Sequence, residues 1–321
     1  MKTVADMRNW QGRIDAEEGP AGRRWHQVMV PVEQLVTPAL ALLGFACDAG
    51  VARNHGRVGA RAGPAALRPM LANLPVRDSM PLADAGDVCC VASHDDDQLE
   101  SAQQELAQAV AGLLAHGHRP VVLGGGHEMA FGSFSGLAQF LDKSGSSPRI
   151  GIVNLDAHFD LRQGGQATSG TPFRQIAEFC RARGWAFNYC CVGISVFANT
   201  QALFDRAVAL DVRWLLDEEL TAANAGHTEN VLADFLGSVD HVYFTTCLDV
   251  LPSAVAPGVS APAARGVPLE IIEPIIDMVA GSGKLRLADI AELNPQYDID
   301  QRTARVAARL VARIAHAWSK A

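Results

Sequence analysis

The chain has 321 residues, of which 49% are apolar and 19% are charged, and its formal net charge is -8. An acidic chain without a basic patch is not expected to bind nucleic acid, and no apolar run reaches the roughly 18 residues that predict a membrane span. The N-terminal segment lacks the apolar stretch of a signal peptide, so we expect a cytoplasmic protein.

Apolar runs alternate with amphipathic segments after a polar N-terminal region. The runs are apolar on both faces, as strands buried in a parallel sheet should be. The predicted strands, in chain order, are 39–47, 120–126, 149–158, 187–195, 212–217, 241–250 and 285–293. The predicted helices are 103–117, 171–184, 229–239, 268–283 and 300–321. This alternation predicts one domain over residues 1–321, a three-layer α/β/α fold with a mostly parallel sheet of about eight strands.

The seven cysteines lie mostly in the apolar runs, and their number is odd. Both observations indicate reduced, buried thiols in a cytoplasmic protein rather than a disulfide framework. The cysteines concerned are Cys47, Cys89, Cys90, Cys180, Cys190, Cys191 and Cys247.

Metal-ligand side chains follow four of the predicted strands. In "NLDAHFDLR" (154–162), every second position is Asp or His, and such positions share one face of a strand. Because ligands bind at the carboxyl ends of parallel strands, we expect these side chains to converge there. Buried acids and imidazoles require a cation, and this mixture suits Mn²⁺ or a similar ion, with two ions sharing a bridging carboxylate. The candidates are His127, Asp156, His158, Asp160, Cys247, Asp249 and Glu292.

Each motif also has a purely structural interpretation. "DAHFD" can be a helix cap followed by a surface loop, His127 a core histidine and Cys247 a small buried apolar side chain. We favour a metal site because four separate strand ends each offer a ligand or an acid.

The motifs "GGGHE", "DAHFD" and "LDV…APG" resemble those of the ureohydrolase superfamily of arginases and agmatinases. Within it, "GVARNHGRVGARAGPAALR" (50–68) and "AELNPQYDIDQRTAR" (291–305) are most similar to the formimidoylglutamases of histidine degradation. The resemblance implies an arginase-like fold, two Mn²⁺ ions that activate water, and hydrolysis of a linear amidine. The expected reaction converts N-formimino-L-glutamate and water to L-glutamate and formamide.

The resemblance also implies roles for the candidate residues. Asp160 is a candidate to relay a proton to the leaving nitrogen, and Glu292 to hold the cationic end of the substrate. The implied metal ligands are His127 and Asp160 on one ion, His158 on the other, Asp156 between the two and Asp249 as a chelating ligand.

Two positions depart from the family pattern. Cys247 occupies the place of a bridging aspartate, and sulfur is a poorer ligand than oxygen for Mn²⁺. We therefore expect the metals to be weakly held, incompletely filled or different in kind. Phe173 stands where arginases carry a histidine that shuttles protons, so that role is unfilled or taken by another group.

A substrate with two carboxylates requires cationic partners. Candidates that follow the first strand are Arg53, Asn54, Arg57 and Arg61, and Arg174 lies after "GTPF". The alternative is a solvated loop whose arginines pair with nearby acids.

Other functions remain open at this stage. One is an agmatinase, a guanidino-acid hydrolase or an arginase; another is a metal-depleted, non-catalytic paralogue that arose through the change at Cys247. The expected partner is a small-molecule substrate, and the resemblance implies a homo-oligomer.

Overall fold

A single all-parallel sheet organises the protein. The computed structural model describes residues 1–77, 80–90, 96–142 and 147–321. Within these residues, nine strands are paired in the order β1-β3-β2-β4-β9-β8-β5-β6-β7. The strands are β1 (Met29–Pro31), β2 (Leu40–Ala46), β3 (Leu82–Cys89), β4 (Arg119–Gly124), β5 (Ile150–Leu155), β6 (Asn188–Ile194), β7 (Arg213–Leu216), β8 (His241–Cys247) and β9 (Leu285–Ala291).

Helices cover both faces of the sheet. They are α1 (Ala49–Arg53), α2 (Gly63–Ala72), α3 (Leu99–Ala115), α4 (Met129–Leu141), α5 (Pro172–Ala182), α6 (Gln201–Ala209), α7 (Ala225–Gly237), α8 (Leu269–Ala280) and α9 (Arg302–Ser319). Leu40 and Leu42 of β2 pack in the core that α2, α7, α8 and α9 complete. Ala41 and Leu43 point to the opposite core, under α3 to α6. The predicted three-layer fold is therefore confirmed.

Strands β1 and β3 were not predicted; in β3, two aspartates and a glycine interrupt the apolar residues. Asp84, in the middle of the strand, is completely buried and pairs with Arg68 at 2.8 Å, while the indole of Trp10 donates to it at 2.7 Å. Gly86 has φ of 76°. A strand that contains a buried ion pair and a left-handed glycine lacks the continuous apolar run by which the seven predicted strands were recognised.

The order of the strands explains where a site can form. Strands β4, β9, β8 and β5 are consecutive neighbours in the middle of the sheet. These are the four strands followed by the ligand-type residues of the sequence. Because all four run in the same direction, their carboxyl ends bring those residues to a single edge.

The prediction that all seven cysteines are reduced is wrong. Cys47 and Cys90 form a disulfide, with their Cα atoms 5.1 Å apart. Each is the residue directly after its strand, and the strand ends Ala46 and Cys89 are register partners in the neighbouring strands β2 and β3. The other five cysteines are free, and Cys89 alone among them is partly exposed.

Among the described residues, no helix has the length and the apolar character that crossing a membrane requires.

Candidate metal centre and substrate cavity

His127 faces two carboxylates at the carboxyl edge of the sheet. It lies between the end of β4 and the start of α4, and its Nδ1 is 3.0 Å from Oδ2 of Asp156 and 3.1 Å from Oδ2 of Asp160. This nitrogen is buried and has no hydrogen-bond partner among the residues that the structure describes. The three groups therefore direct their free electron pairs at one point.

A second group of ligands adjoins the first through Asp156. Nδ1 of His158 lies 3.1 Å from Oδ2 of Asp249 and 3.5 Å from Oδ1 of Asp156. Asp156 is fixed by two hydrogen bonds, from the backbone N–H of His158 at 2.8 Å and from the side-chain amide of Asn154 at 3.1 Å. Its carboxylate thus has one oxygen toward each histidine, which is the arrangement that a bridging ligand requires.

Cys247 lies in this site rather than in the apolar core. Its sulfur, a nitrogen of His127 and a carboxylate oxygen of Asp156 are all within 4.8 Å of one another. Burial raises the pKa of its thiol well above the ordinary value, and the charges of Asp156 and Asp249 raise it further. Without a cation the sulfur is therefore protonated.

The carboxylates of the cluster favour positive charge at its centre. Burial alone would lower the pKa of His127, but the carboxylates of Asp156 and Asp160 raise it well above its ordinary value. Burial and the neighbouring charge of Asp156 raise the pKa of Asp160 to about 6. Two imidazoles and three carboxylates form a donor set that fits divalent ions such as Mn²⁺, and Nδ1 of one imidazole is directed at the carboxylates.

Two acids of the site have a strained backbone. Asp160 has φ of 48° and Glu292 has φ of 71°, in the left-handed region that non-glycine residues rarely occupy. Glu292 accepts a hydrogen bond through Oε1 from the backbone N–H of His127 at 3.0 Å, and its Oε2 has no hydrogen-bond partner in the described part of the protein. Burial raises its pKa well above the ordinary value. Strain of this kind is typical of functional positions.

A cavity of about 280 Å³ opens onto the cluster. Asn54 and Ser169 face each other on its wall, with the amide of Asn54 donating to the hydroxyl of Ser169 at 3.1 Å. The wall also includes His55, Gly56, Arg162, Ala198, Leu203, Ser260 and Ala261, and the cluster contributes His127, His158, Asp160, Cys247, Asp249 and Glu292.

Arg162 places a guanidinium in the wall of the cavity. It was not among the substrate-binding residues predicted from the sequence. It follows Asp160 by two positions, and this continuation of the alternating pattern in "NLDAHFDLR" was the available signal. Its backbone N–H donates to Gly170 at 2.9 Å, but no ion pair involving its side chain occurs among the described residues. An exposed guanidinium without an acidic partner, beside a metal-ligand cluster, is suited to hold an anionic group of a ligand.

The arginines singled out from the sequence lie elsewhere. Arg53 forms ion pairs with Asp97 and Glu100, each at 2.6 Å. For this residue the alternative interpretation, a loop arginine paired with nearby acids, is therefore correct. The guanidinium of Arg57 lies 4.9 Å from the ring centre of Tyr297. Neither these two nor Arg61 lines the cavity.

Arg174 supports the cavity from behind. It pairs with Glu178 at 2.7 Å and donates through Nε to the backbone carbonyl of Arg162 at 2.8 Å. Arg206 similarly donates to the carbonyl of Leu161 at 2.6 Å. These contacts hold the loop that presents Arg162. Arg174 itself does not line the cavity.

Phe173 packs against the metal cluster. Its ring is completely buried and meets the imidazole of His127 edge-on, with 5.3 Å between ring centres, and stacks on Tyr189 at 4.5 Å. An apolar ring restricts His127 without supplying a proton, so the shuttle role of the arginase histidine is not filled by this residue.

The chain is similar to known proteins over nearly its whole length. Residues 38–317 match the model of the arginase family. The chain is 62% identical to the formimidoylglutamase of Ralstonia nicotianae, over 98% of this chain and 96% of the relative. It is 51% identical to that of Aromatoleum aromaticum, over 98% and 93%.

Two solved structures show the same architecture. Trypanosoma cruzi formiminoglutamase with Mn²⁺₂ superposes with a TM-score of 0.75 at 26% identity, over 88% of this chain and 94% of that one. Bacillus subtilis formimidoylglutamase has a TM-score of 0.83 at 19% identity, over 96% and 94%, and supports the fold alone. Because of these matches, and because the strand ends that carry the ligands lie side by side, we conclude that the chain belongs to the arginase family.

Proposed function

We propose that this protein hydrolyses N-formimino-L-glutamate to L-glutamate and formamide at a site that holds two divalent metal ions. The observation that carries the proposal is the arrangement in one cavity of a buried His and Asp cluster and the guanidinium of Arg162, which forms no ion pair within the described part of the chain. Relatives that are 62% and 51% identical carry the name formimidoylglutamase and support this substrate.

The chain's own ligands divide into two sets. His127, Asp156 and Asp160 would hold one ion, while His158, Asp156 and Asp249 would hold the other. Cys247 adjoins the first set. When bound, divalent ions supply Lewis acidity that favours attack of water on an electrophilic carbon. Mn²⁺ is the ion expected, and the Mn²⁺ present in the solved relative from T. cruzi supports this choice.

Two acids of the cavity would handle the amidine group. The unpartnered Oε2 of Glu292 can accept a hydrogen bond from an amidinium N–H. Asp160 faces the cavity beside the metal ligands and can take up a proton and pass it to the leaving nitrogen. Both carboxylates line the cavity, so each is accessible to a bound substrate.

Arg162 would select the substrate by charge. A bidentate pair between its guanidinium and a carboxylate of formiminoglutamate is stabilised by charge and geometry. Agmatine has a distal amine in place of carboxylates, so Arg162 disfavours it. Asn54 and Ser169 can donate further hydrogen bonds to the second carboxylate or the amino-acid backbone of the substrate.

Three further features are proposed with this function. Residues 1–321 would form one catalytic domain, since both apolar cores flank the same sheet. The protein would act in the cytoplasm, as its N-terminal sequence suggests, and would form a homo-oligomer, as the family resemblance implies. Light scattering coupled to size-exclusion chromatography measures the oligomeric state.

A substrate panel tests the function. The protein, purified and supplied with Mn²⁺, is assayed with N-formimino-L-glutamate, agmatine, arginine and a guanidino acid. We expect a kcat/KM for formiminoglutamate at least tenfold above that for any other compound. Turnover of agmatine or arginine above that of formiminoglutamate would overturn the assignment, and no turnover together with no bound metal would indicate a non-catalytic paralogue.

A further inference from the structure

A buried carboxylate below the metal cluster has no part in the proposed chemistry. Asp289 lies in the interior of β9 and is inaccessible to solvent. Its Oδ2 accepts a hydrogen bond from the hydroxyl of Tyr243, but within the described ranges of the chain Oδ1 has no hydrogen-bond partner. A buried, incompletely paired carboxylate costs stability, so its presence in the centre of the sheet requires an explanation.

Thr245 connects this carboxylate to His127. On the one side, its Oγ1 lies 3.0 Å from Nε2 of His127. On the other side, Thr245 and Asp289 are register partners in the adjacent strands β8 and β9. Burial raises the pKa of Asp289 above its ordinary value, and the neighbouring hydroxyls of Thr245, Tyr243 and Ser133 oppose that rise. Three side chains therefore form a continuous line from the metal cluster into the core.

The direction of the hydrogen bonds follows from the position of His127. Nδ1 faces the carboxylates of Asp156 and Asp160, so a metal ligand at this place needs its free electron pair on Nδ1. The proton then resides on Nε2 and is donated to Oγ1 of Thr245. That oxygen has accepted one hydrogen, so its own hydrogen is free for a neighbouring acceptor, and the adjacent acceptor is Asp289.

We propose that Asp289 is a positioning residue that acts through Thr245 to keep His127 in the tautomer with its proton on Nε2 and its Nδ1 free for the metal. The inference rests on the proposed metal-dependent function. Carboxylates that orient a metal-binding histidine usually contact it directly, and their loss typically weakens metal affinity about 10- to 100-fold. Here the threonine hydroxyl is inserted between the two.

The strand provides matched variants for a test. Thr245→Val removes the hydroxyl at constant shape, Thr245→Ser retains it, and Asp289→Asn removes the charge at nearly constant size. Thr246→Val is the control, because Thr246 is the next residue of β8, is equally buried and has an Oγ1 without a partner. Mn²⁺ dissociation constants are measured by calorimetry on metal-free protein.

We expect Thr245→Val and Asp289→Asn each to weaken Mn²⁺ binding by about 10-fold or more, as for other residues that orient a metal ligand. Thr245→Ser and Thr246→Val should bind Mn²⁺ like the wild type. Because the two weakened variants act on one hydrogen-bond line, the double variant should bind no more weakly than the weaker single variant. Excess Mn²⁺ should restore their turnover, which a general packing defect would not allow.

Several results would overturn the inference. One is wild-type Mn²⁺ affinity in Thr245→Val and Asp289→Asn; another is equal loss in Thr246→Val. If Asp289→Asn does not fold, the comparison of Thr245→Val with Thr245→Ser decides alone. Failure of the proposed substrate leaves these affinities unchanged, so the two proposals are tested separately.

Discussion

Nδ1 of His127 lies 3.0 Å from Oδ2 of Asp156, yet this buried nitrogen forms no hydrogen bond with any residue that the structure describes. The same carboxylate directs its other oxygen toward His158. Buried carboxylates need balancing positive charge, which protons on the two imidazoles or bound metal ions can supply.

Replacing Cys247 by Asp should strengthen Mn²⁺ binding. The wild-type thiol must lose its proton to bind a metal, and burial opposes that step by raising its pKa. A carboxylate supplies a harder ligand. We expect Cys247→Asp to hold two Mn²⁺ per chain and to bind them at least about tenfold more tightly than the wild type, by metal analysis and calorimetry.

The control for this variant is Cys180→Ala, a buried cysteine of α5 outside the cluster. It should leave metal content unchanged. Two tightly bound Mn²⁺ in the wild type, with no gain in Cys247→Asp, would show that the thiolate is an adequate ligand. Loss of activity in Cys247→Asp with a softer native metal would show that Cys247 is adapted to that metal.

Arg162→Ala should raise KM for N-formimino-L-glutamate. Loss of a charge-assisted hydrogen bond costs roughly 1.5–3 kcal/mol, which corresponds to about a ten- to hundredfold increase. The comparison variant is Arg57→Ala, whose guanidinium lies on the ring of Tyr297 instead of in the cavity. A larger increase in KM in Arg57→Ala than in Arg162→Ala would show that the loop after the first strand, and not Arg162, binds the substrate carboxylate.

His118 should make the protein less stable in mild acid. Burial lowers the pKa of His118 below its ordinary value, and its Nδ1 accepts a hydrogen bond from the backbone N–H of Ala39 at 3.2 Å. The folded state therefore prefers the neutral ring. As pH falls below 6.5, the unfolded chain takes up the proton first, and stability is lost until the folded-state pKa is reached.

The variant His118→Asn retains an acceptor that does not titrate, so its melting temperature should fall less than that of the wild type between pH 7 and about 5. The exposed His227 provides the control variant His227→Asn. If the melting temperatures of the wild type and His118→Asn fall equally with pH, the protonation of His118 does not contribute to the loss of stability.

The disulfide predicts a definite thiol count. Five cysteines are free and two are paired. Titration of the unfolded chain with a thiol reagent should give five thiols per chain without reductant and seven with it. The variant Cys90→Ser should give six without reductant, since Cys47 is then released. Seven thiols in the unreduced wild type would mean that the pair is not formed in the isolated protein.

The ends of the apolar strands were predictable from the sequence, because strands buried on both faces read as continuous apolar runs. Those ends carry His127, Asp156, His158, Cys247 and Asp249, and a parallel sheet gathers such residues at one edge. That β4, β9, β8 and β5 are direct neighbours was not predictable, since the pairing order is not encoded in any local pattern.

The choice among arginines needed the structure. Arg53 follows the first strand as a substrate-binding residue could, but its partners Asp97 and Glu100 lie more than forty residues away in sequence. The disulfide has the same character, because Cys47 and Cys90 meet through the pairing of β2 with β3. In both cases a contact between distant segments determines what a local motif does.

An NMR assay of the products that the Mn²⁺-supplied protein forms from N-formimino-L-glutamate is the most direct test of the proposed hydrolysis. Attack on the amidine carbon with departure of the glutamate nitrogen gives formamide and L-glutamate in equal amounts, and this is the predicted result. Ammonia and N-formyl-L-glutamate, or no conversion by protein that holds its metals, would contradict the account.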